Sequence, residues 1–202
     1  MWQVNAHKIV LLFSGGVEST CLLYMYLRKG WLVYPVYIKA GYPWEPLELE
    51  NAKSLWLYTK RKHKNLMPLR VLPAINPERV SRRKHDKHLF IPLRNMSLIA
   101  LAGNYAVLKD ISHVAIGSLG IYPFPDNNAE YMNNLQSLMN IRLLTPFMGM
   151  EKHEVLKRFS ESVPLERTLS CIRPRRIRGK VLHCGKCEKC KERQEALKHL
   201  LL

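Results

Sequence analysis

Residues Lys8 to Thr20, KIVLLFSGGVEST, restrict what this chain can fold into more than any other stretch. Ile9–Phe13 is a short apolar run of the kind that makes a buried strand, Ser14-Gly15-Gly16 is a tight loop, and a helix is expected from Glu18 onward. Adjacent glycines let the backbone take conformations closed to other residues and approach a ligand closely. A helix start carries unpaired N–H groups and the positive end of the helix dipole, so strand, glycine loop and helix together form an anion site. Ser14 and Ser19 add hydroxyl donors. Glu18 cannot sit against a phosphate unaided, so it is read as a Mg²⁺ partner or an orienter of the loop. The spacing is neither G-x-x-x-x-G-K-[ST] nor G-x-G-x-x-G. The competing reading is a plain glycine turn with Glu18 as an ordinary first-turn acid.

The pattern then alternates. Trp31–Ile38 is rich in aromatic and β-branched residues and reads as a strand, with Pro35 pointing to an edge, a bulge or a strand end. Leu47–Thr59 has helical period, Leu69–Leu72 is a short strand, Pro92–Leu108 is the clearest helix, and His113–Gly117 is a further strand. A helix near Ala129–Met139, a strand at Ile141–Leu144, and helices at Glu151–Glu161 and Glu188–Leu200 follow. This order predicts an α/β fold: a Rossmann-like parallel sheet with helices on both faces. Ligands of such sheets lie beyond the carboxyl ends of the strands. The loop after Phe13, the turn after Ile38 and the turn at Gly117-Ser118 are therefore expected around one crevice, with Arg94 and Asn95 at a nearby helix start. The basic segment Pro73–Ile91 lacks periodicity and is expected to form a mobile flap, with His85 and His88 solvated. Asp126 stands just ahead of a helix, where it is either that helix's N-cap or a ligand-binding acid. Lys152 opposes the dipole of the helix it begins, so helix stability explains it poorly.

The formal charge of +16 points to an anionic partner, from a nucleotide to nucleic acid, or to two solvated basic faces at Lys60–Arg94 and Arg167–Lys198. No signal-like segment or run of about 18 apolar residues stands in the sequence, so a cytoplasmic protein without a membrane span is expected. Five cysteines argue against a disulfide framework. Cys21 reads as a small core residue inside the first helix. Cys171, Cys184, Cys187 and Cys190 make a closed Cys₄ set at Zn²⁺ spacing, with an iron–sulfur cluster as the rival and His183 as an alternative ligand. A metal there would tie the basic 173–180 loop and the last helix onto the body.

Several separate stretches together resemble the 7-cyano-7-deazaguanine synthase family of the ATP-pyrophosphatase superfamily. They are SGGVES at 14–19, PLRN at 92–95, IGS at 116–118, FPDN at 124–127, TPFMGMEKHEV at 145–155, PLERTLSC at 164–171 and HCGKCEKCKERQEA at 183–196. The resemblance implies a nucleotide-binding domain over 1–165 with a zinc-binding segment over 166–202 packed on it as one unit. It implies ATP, Mg²⁺ and Zn²⁺ as cofactors, a deazapurine substrate and a homodimer. The implied reaction converts 7-carboxy-7-deazaguanine and ammonia to the nitrile through an acyl-adenylate and an amide. Phe13, Ser14, Gly15, Gly16, Glu18, Ser19, Ile38, Arg94, Asn95, Gly117 and Ser118 would bind the nucleotide. Ser14, Glu18, Ser19, Lys152 and Asp126 would act in catalysis, with Asp126 reading the guanine-like edge. The chain departs from the family in three places: Glu18 stands for Asp, the Cys171–Cys184 segment is longer and carries RPRRIRGK, and AGYPWEP at 40–46 lacks the usual glutamine and basic residues. The other readings are a tRNA-modifying enzyme of the same superfamily, a relative that conjugates a deazapurine to protein or nucleic acid, and a non-catalytic zinc module.

Overall fold

The structure is a computed structural model and describes residues 7–73, 93–122 and 124–200. The expected flap, with His85 and His88, lies outside them but for Pro73, which ends a strand. Five strands form one parallel sheet: β1 (Lys8–Leu12), β2 (Leu32–Lys39), β3 (Arg70–Pro73), β4 (His113–Ala115) and β5 (Arg142–Leu144), in the order β3-β2-β1-β4-β5. Helices α1 (Val17–Arg28), α2 (Glu45–Lys60), α3 (Arg94–Val107), α4 (Ala129–Ser137), α5 (Lys152–Phe159) and α6 (Glu188–Lys198) cover it.

Alternation along β1 decides which face each helix takes. Ile9, Leu11 and Phe13 face a core closed by α1, by Ala52 and Leu55 of α2, and by Val155, Leu156 and Phe159 of α5. Val10 and Leu12 face the opposite core, with Ile99, Ala102 and Ala106 of α3 and Met132 and Leu135 of α4. Helices on both faces are thus a direct result of β1 being apolar at every position after Lys8. Cys21 is fully buried in the first of these cores, where burial, followed by the charge of Glu18, pushes its thiol up to about 12. It is a core residue, as expected.

The chain runs outward from β1 through β2 to β3 and then returns to β4 on the other flank of β1. That reversal opens a crevice at the carboxyl ends of β1 and β4. Pro35 lies inside β2, which has neighbours on both sides. Val33 makes its backbone bonds toward the β3 side, donating to Asn65 and accepting from Met67. Pro35, two residues on, faces the same side, where pairing is interrupted between Leu66 and Arg70. The missing donor falls in that gap.

Asp126 does not cap α4. The cap is Asn128, whose side chain accepts the Tyr131 N–H at 2.8 Å. The 173–180 stretch, expected as a loop, contains a hairpin of β6 (Arg175–Ile177) and β7 (Lys180–Leu182). Its turn places Arg178 and Gly179 at φ of 48° and 75°, the pair of positive angles that a two-residue hairpin turn of type I′ requires. Arg176 pairs with Glu50 of α2 and holds the hairpin to the body.

Candidate active site

The loop between β1 and α1 is held from both sides. Gly15 has φ of 77°, and a Cβ there would come 3.1 Å from the Ala52 Cα, so the loop lies tight on α2. On the other side, Leu169 donates its N–H to the Gly15 carbonyl at 2.9 Å, and Ser170 Oγ accepts the Val17 N–H at 3.3 Å. Inside the loop Ser14 Oγ accepts from Gly16 N–H and lies 3.3 Å from Ser19 Oγ. The helix start therefore presents hydroxyls and backbone donors into the crevice.

Gly117, just beyond β4, approaches this helix start so closely that a Cβ would lie 3.0 Å from the Glu18 carbonyl carbon. Ser118 donates to Asn127 Oδ1. Lys152, buried at the start of α5, reaches Glu18 Oε1 at 3.0 Å and Glu192 Oε2 at 2.8 Å. Burial alone pulls its ammonium down, but the carboxylates of Glu18 and Glu192, with the Tyr122 phenol, outweigh that and hold it well above the usual lysine value. The poor fit of Lys152 to its own helix is explained: its partners are on α1 and α6.

Asp126 reaches across to α3. Its Oδ2 accepts the Asn95 N–H at 3.2 Å, and Asn95 Nδ2 donates to the Asp126 carbonyl at 2.9 Å. Leu93, at the N-cap of α3, supplies no side-chain cap, so Asp126 does this from outside.

One cavity of about 320 Å³ joins these groups. Phe13, Ser14, Gly16, Glu18, Ser19, Ile38, Arg94, Asn95, Gly117, Ser118, Asp126 and Lys152 all line it. Gly15 does not; it is turned against Ala52. The cavity has a donor-rich end at the loop and an aromatic end that sequence reasoning missed. There Tyr42 stacks on Trp44 with ring centroids 4.8 Å apart, and Arg94 lies 5.9 Å from the Tyr42 ring. Glu45 Oε2 accepts the N–H groups of Ala40, Gly41 and Tyr42, which fixes the 40–46 turn. Glu48 accepts the Tyr37 hydroxyl at 2.8 Å, and burial pushes its carboxyl up to about 7, against the pull of Tyr37 and Arg94. Lys189 and Ser170 are further lining residues that the sequence reading did not assign.

The four cysteines converge. The Sγ atoms of Cys171, Cys184, Cys187 and Cys190 lie within 4.8 Å of one another. Neighbouring pairs stand at 3.9, 3.8 and 3.4 Å. Tetrahedral Zn–S bonds of about 2.3 Å put sulfurs about 3.8 Å apart, so the set fits one such ion. Backbone N–H groups of Cys184 and Cys187 point at these sulfurs. His183 is not one of the converging ligands. Its Nε2 accepts the Ser170 N–H at 3.1 Å, and burial, then the charge of Arg193, pulls the imidazole down to about 4, which keeps it neutral as an acceptor.

Residues 8–201 match the family model described as queuosine biosynthesis protein QueC. The chain belongs to the QueC family. A relative named 7-cyano-7-deazaguanine synthase 1, from Desulfitobacterium hafniense, is 30% identical over 96% of this chain and 93% of its own length. A 7-cyano-7-deazaguanine synthase from Sulfurihydrogenibium sp. is 29% identical over 97% and 96%. Among solved structures, a 4-thiouridine synthetase–RNA complex with bound ATP aligns with a TM-score of 0.54 at 18% identity, covering 96% of this QueC-family chain and 50% of that one. The U34-tRNA thiolase NcsA from Methanococcus maripaludis, with its [4Fe-4S] cluster, aligns with a TM-score of 0.50 at 10% identity, covering 98% and 73%. These two likenesses concern the fold.

Proposed function

We propose that the chain is a 7-cyano-7-deazaguanine synthase, converting 7-carboxy-7-deazaguanine and ammonia to the nitrile with ATP. The observation that carries this reading is a single cavity with a phosphate-type loop at one end and an aromatic, carboxyl-bearing wall at the other, in a QueC-family chain. A carboxylate is a poor electrophile. Attack by its oxygen on the α-phosphorus of ATP breaks the bond to pyrophosphate and leaves an acyl-adenylate. Ammonia then displaces AMP to give the amide; attack of the amide oxygen on a second ATP releases pyrophosphate, and loss of AMP with the two N–H protons gives the nitrile.

Ser14, Ser19 and the N–H groups at the start of α1 would hold the departing phosphates with donors already in place. Lys152 and Arg94 would offset phosphate charge from α5 and α3. Gly117 and Ser118 would flank the nucleotide, as would the backbone at Phe13 and Ile38. Mg²⁺ fits the donor set in that Glu18 presents a carboxylate beside the loop, with phosphate oxygens to complete its shell. Bound there, it would spread the charge that develops on the phosphates. At the Cys₄ set the sulfur spacing favours a single Zn²⁺ in a closed, structural site over a larger cluster. A homodimer in the cytoplasm is the assembly and location that the family resemblance implies. A nucleic-acid or protein acceptor is not needed.

The test is incubation of the metal-loaded protein with 7-carboxy-7-deazaguanine, ammonia and ATP·Mg²⁺, followed by mass spectrometry. Nitrile is the expected product. ATP binding with no deazapurine product would remove this reading.

A further inference from the structure

The aromatic end of the cavity is built by AGYPWEP at 40–46. Its geometry is fixed, since three successive backbone N–H groups converge on Glu45 Oε2 at 2.6 to 3.1 Å. That turn carries the stacked Tyr42–Trp44 pair, and one turn into α2 stands Glu48, all lining the cavity.

Three carboxyl groups therefore face the same space; Glu18 stands at the loop, and the other two, Glu48 and Asp126, are not equivalent. Asp126 is committed to α3: its Oδ2 takes the Asn95 N–H of an otherwise uncapped helix start, and its carbonyl takes the Asn95 side chain. Glu48 is only partly buried. Its Oε1 takes the Tyr37 hydroxyl at 2.8 Å and the Trp44 side chain donates to it as well, which still leaves acceptor capacity on a carboxylate with four lone-pair sites. It also stands beside flat rings, where a planar base would stack.

We infer that Glu48, on the Tyr42–Trp44 shelf, is the group that reads the ring N–H and exocyclic amine of the substrate base, while Asp126 is a positioning residue that holds the start of α3. This rests on the deazapurine reading given above. Two donors side by side on the base match two carboxylate oxygens, as in other pairings of a carboxylate with a base edge. The far end of the same base, with its carboxylate, is then directed toward the phosphate loop where activation takes place. An acid held near neutrality in the empty cavity gains most when a donor edge arrives, because the pairing favours its ionised form.

The experiment measures binding by isothermal titration for 7-carboxy-7-deazaguanine and for its analogue without the exocyclic amine. The wild-type chain and Glu48→Gln, Trp44→Leu and Asp126→Asn variants are compared, each also titrated with ATP. The wild type is expected to favour the amine-bearing base by about 10–100-fold. Glu48→Gln loses most of that preference with ATP affinity unchanged. Trp44→Leu weakens both bases, since it removes the stacking surface. Asp126→Asn keeps the preference. A Glu48→Gln chain that discriminates as well as wild type, or an Asp126→Asn chain that does not discriminate, overturns the assignment. A wild type that binds neither base overturns the functional reading, and this inference with it.

Discussion

The ammonium of Lys152 sits 3.0 Å from Glu18 Oε1 and 2.8 Å from Glu192 Oε2, and so joins α5 to α1 and to α6 beside the Ser14–Gly16 loop. One of its two carboxylates comes from the loop's own helix. The other comes from the helix that begins at the cysteine cluster.

Removing that cation leaves Glu18 without its ion partner and Glu192 with Lys189 alone, at 3.2 Å. Lys152→Met is expected to lower stability by about 2 kcal/mol, below the range for fully buried pairs because both acids keep some contact with solvent. It is also expected to reduce turnover by about 100-fold or more, as a charge directed at the phosphates is lost. Urea unfolding and steady-state kinetics read the two effects separately.

Gly117 tolerates no side chain. A Cβ would lie 3.0 Å from the Glu18 carbonyl carbon and 3.1 Å from its oxygen, both backbone atoms that cannot swing aside. Gly117→Ala is expected to cost about 1–3 kcal/mol and to weaken ATP binding by moving the start of α1. Gly149→Ala is the control for added bulk, since nothing lies within 4 Å of its Cβ position, although its φ of 83° adds backbone strain of its own. ATP titration distinguishes them: only Gly117→Ala is expected to lose affinity.

Loss of the metal should be felt at the nucleotide. Ser170 takes the Val17 N–H and gives its own N–H to His183, and the next residue is Cys171. Chelation of the bound metal is expected to raise the dissociation constant for ATP, and readdition of Zn²⁺ to restore it. Ser170→Ala is expected to cost about 1 kcal/mol while retaining the metal. Metal content by mass spectrometry and ATP binding by titration check both.

Glu48 gives stability a signature against pH. An ordinary glutamate titrates near 4.5, and burial pushes this one to about 7. Between those values the folded chain keeps a proton that the unfolded chain has released, so stability falls as pH rises through the window and levels off above it. The groups that face it are Tyr37, Trp44, Glu45 and Arg94. Glu48→Gln cannot titrate, so its stability relative to wild type should increase from about pH 4.5 to about pH 7 and then stay constant. Thermal unfolding across that range measures the difference.

Much of this was legible in the sequence, for local reasons. Runs such as Ile9–Phe13 and the periodic segments carry their own period, and Cys184-x-x-Cys187-x-x-Cys190 sets its own spacing. The loop, the parallel sheet and the converging thiols followed. What stayed hidden depends on contacts between distant segments. Nothing near Asp126 indicates that it would cap α3 instead of α4, because Asn95 is 31 residues away. Nothing near Glu192 announces Lys152, 40 residues before it. Nothing in the sequence singles out Glu45; only the fold of the 40–46 turn directs three N–H groups onto it. Arg178-Gly179 was a readable hairpin turn, but the surrounding basic residues obscured the short strands.

The brace on the loop between β1 and α1 has a consequence for how the molecule comes into being. Gly15 and Val17 lie near the start of the chain, while the groups that hold them, Leu169 and Ser170, are made more than 150 residues later. The cluster that anchors those groups closes only with Cys190. A nascent chain can pair β1 with β2 early, since those contacts are close in sequence. It cannot brace the loop between β1 and α1 until residues 169 and 170 have been made, and it cannot bring the four thiols together until Cys190 has followed. The loop is thus held last by the part of the chain made last, long after the first strands have paired.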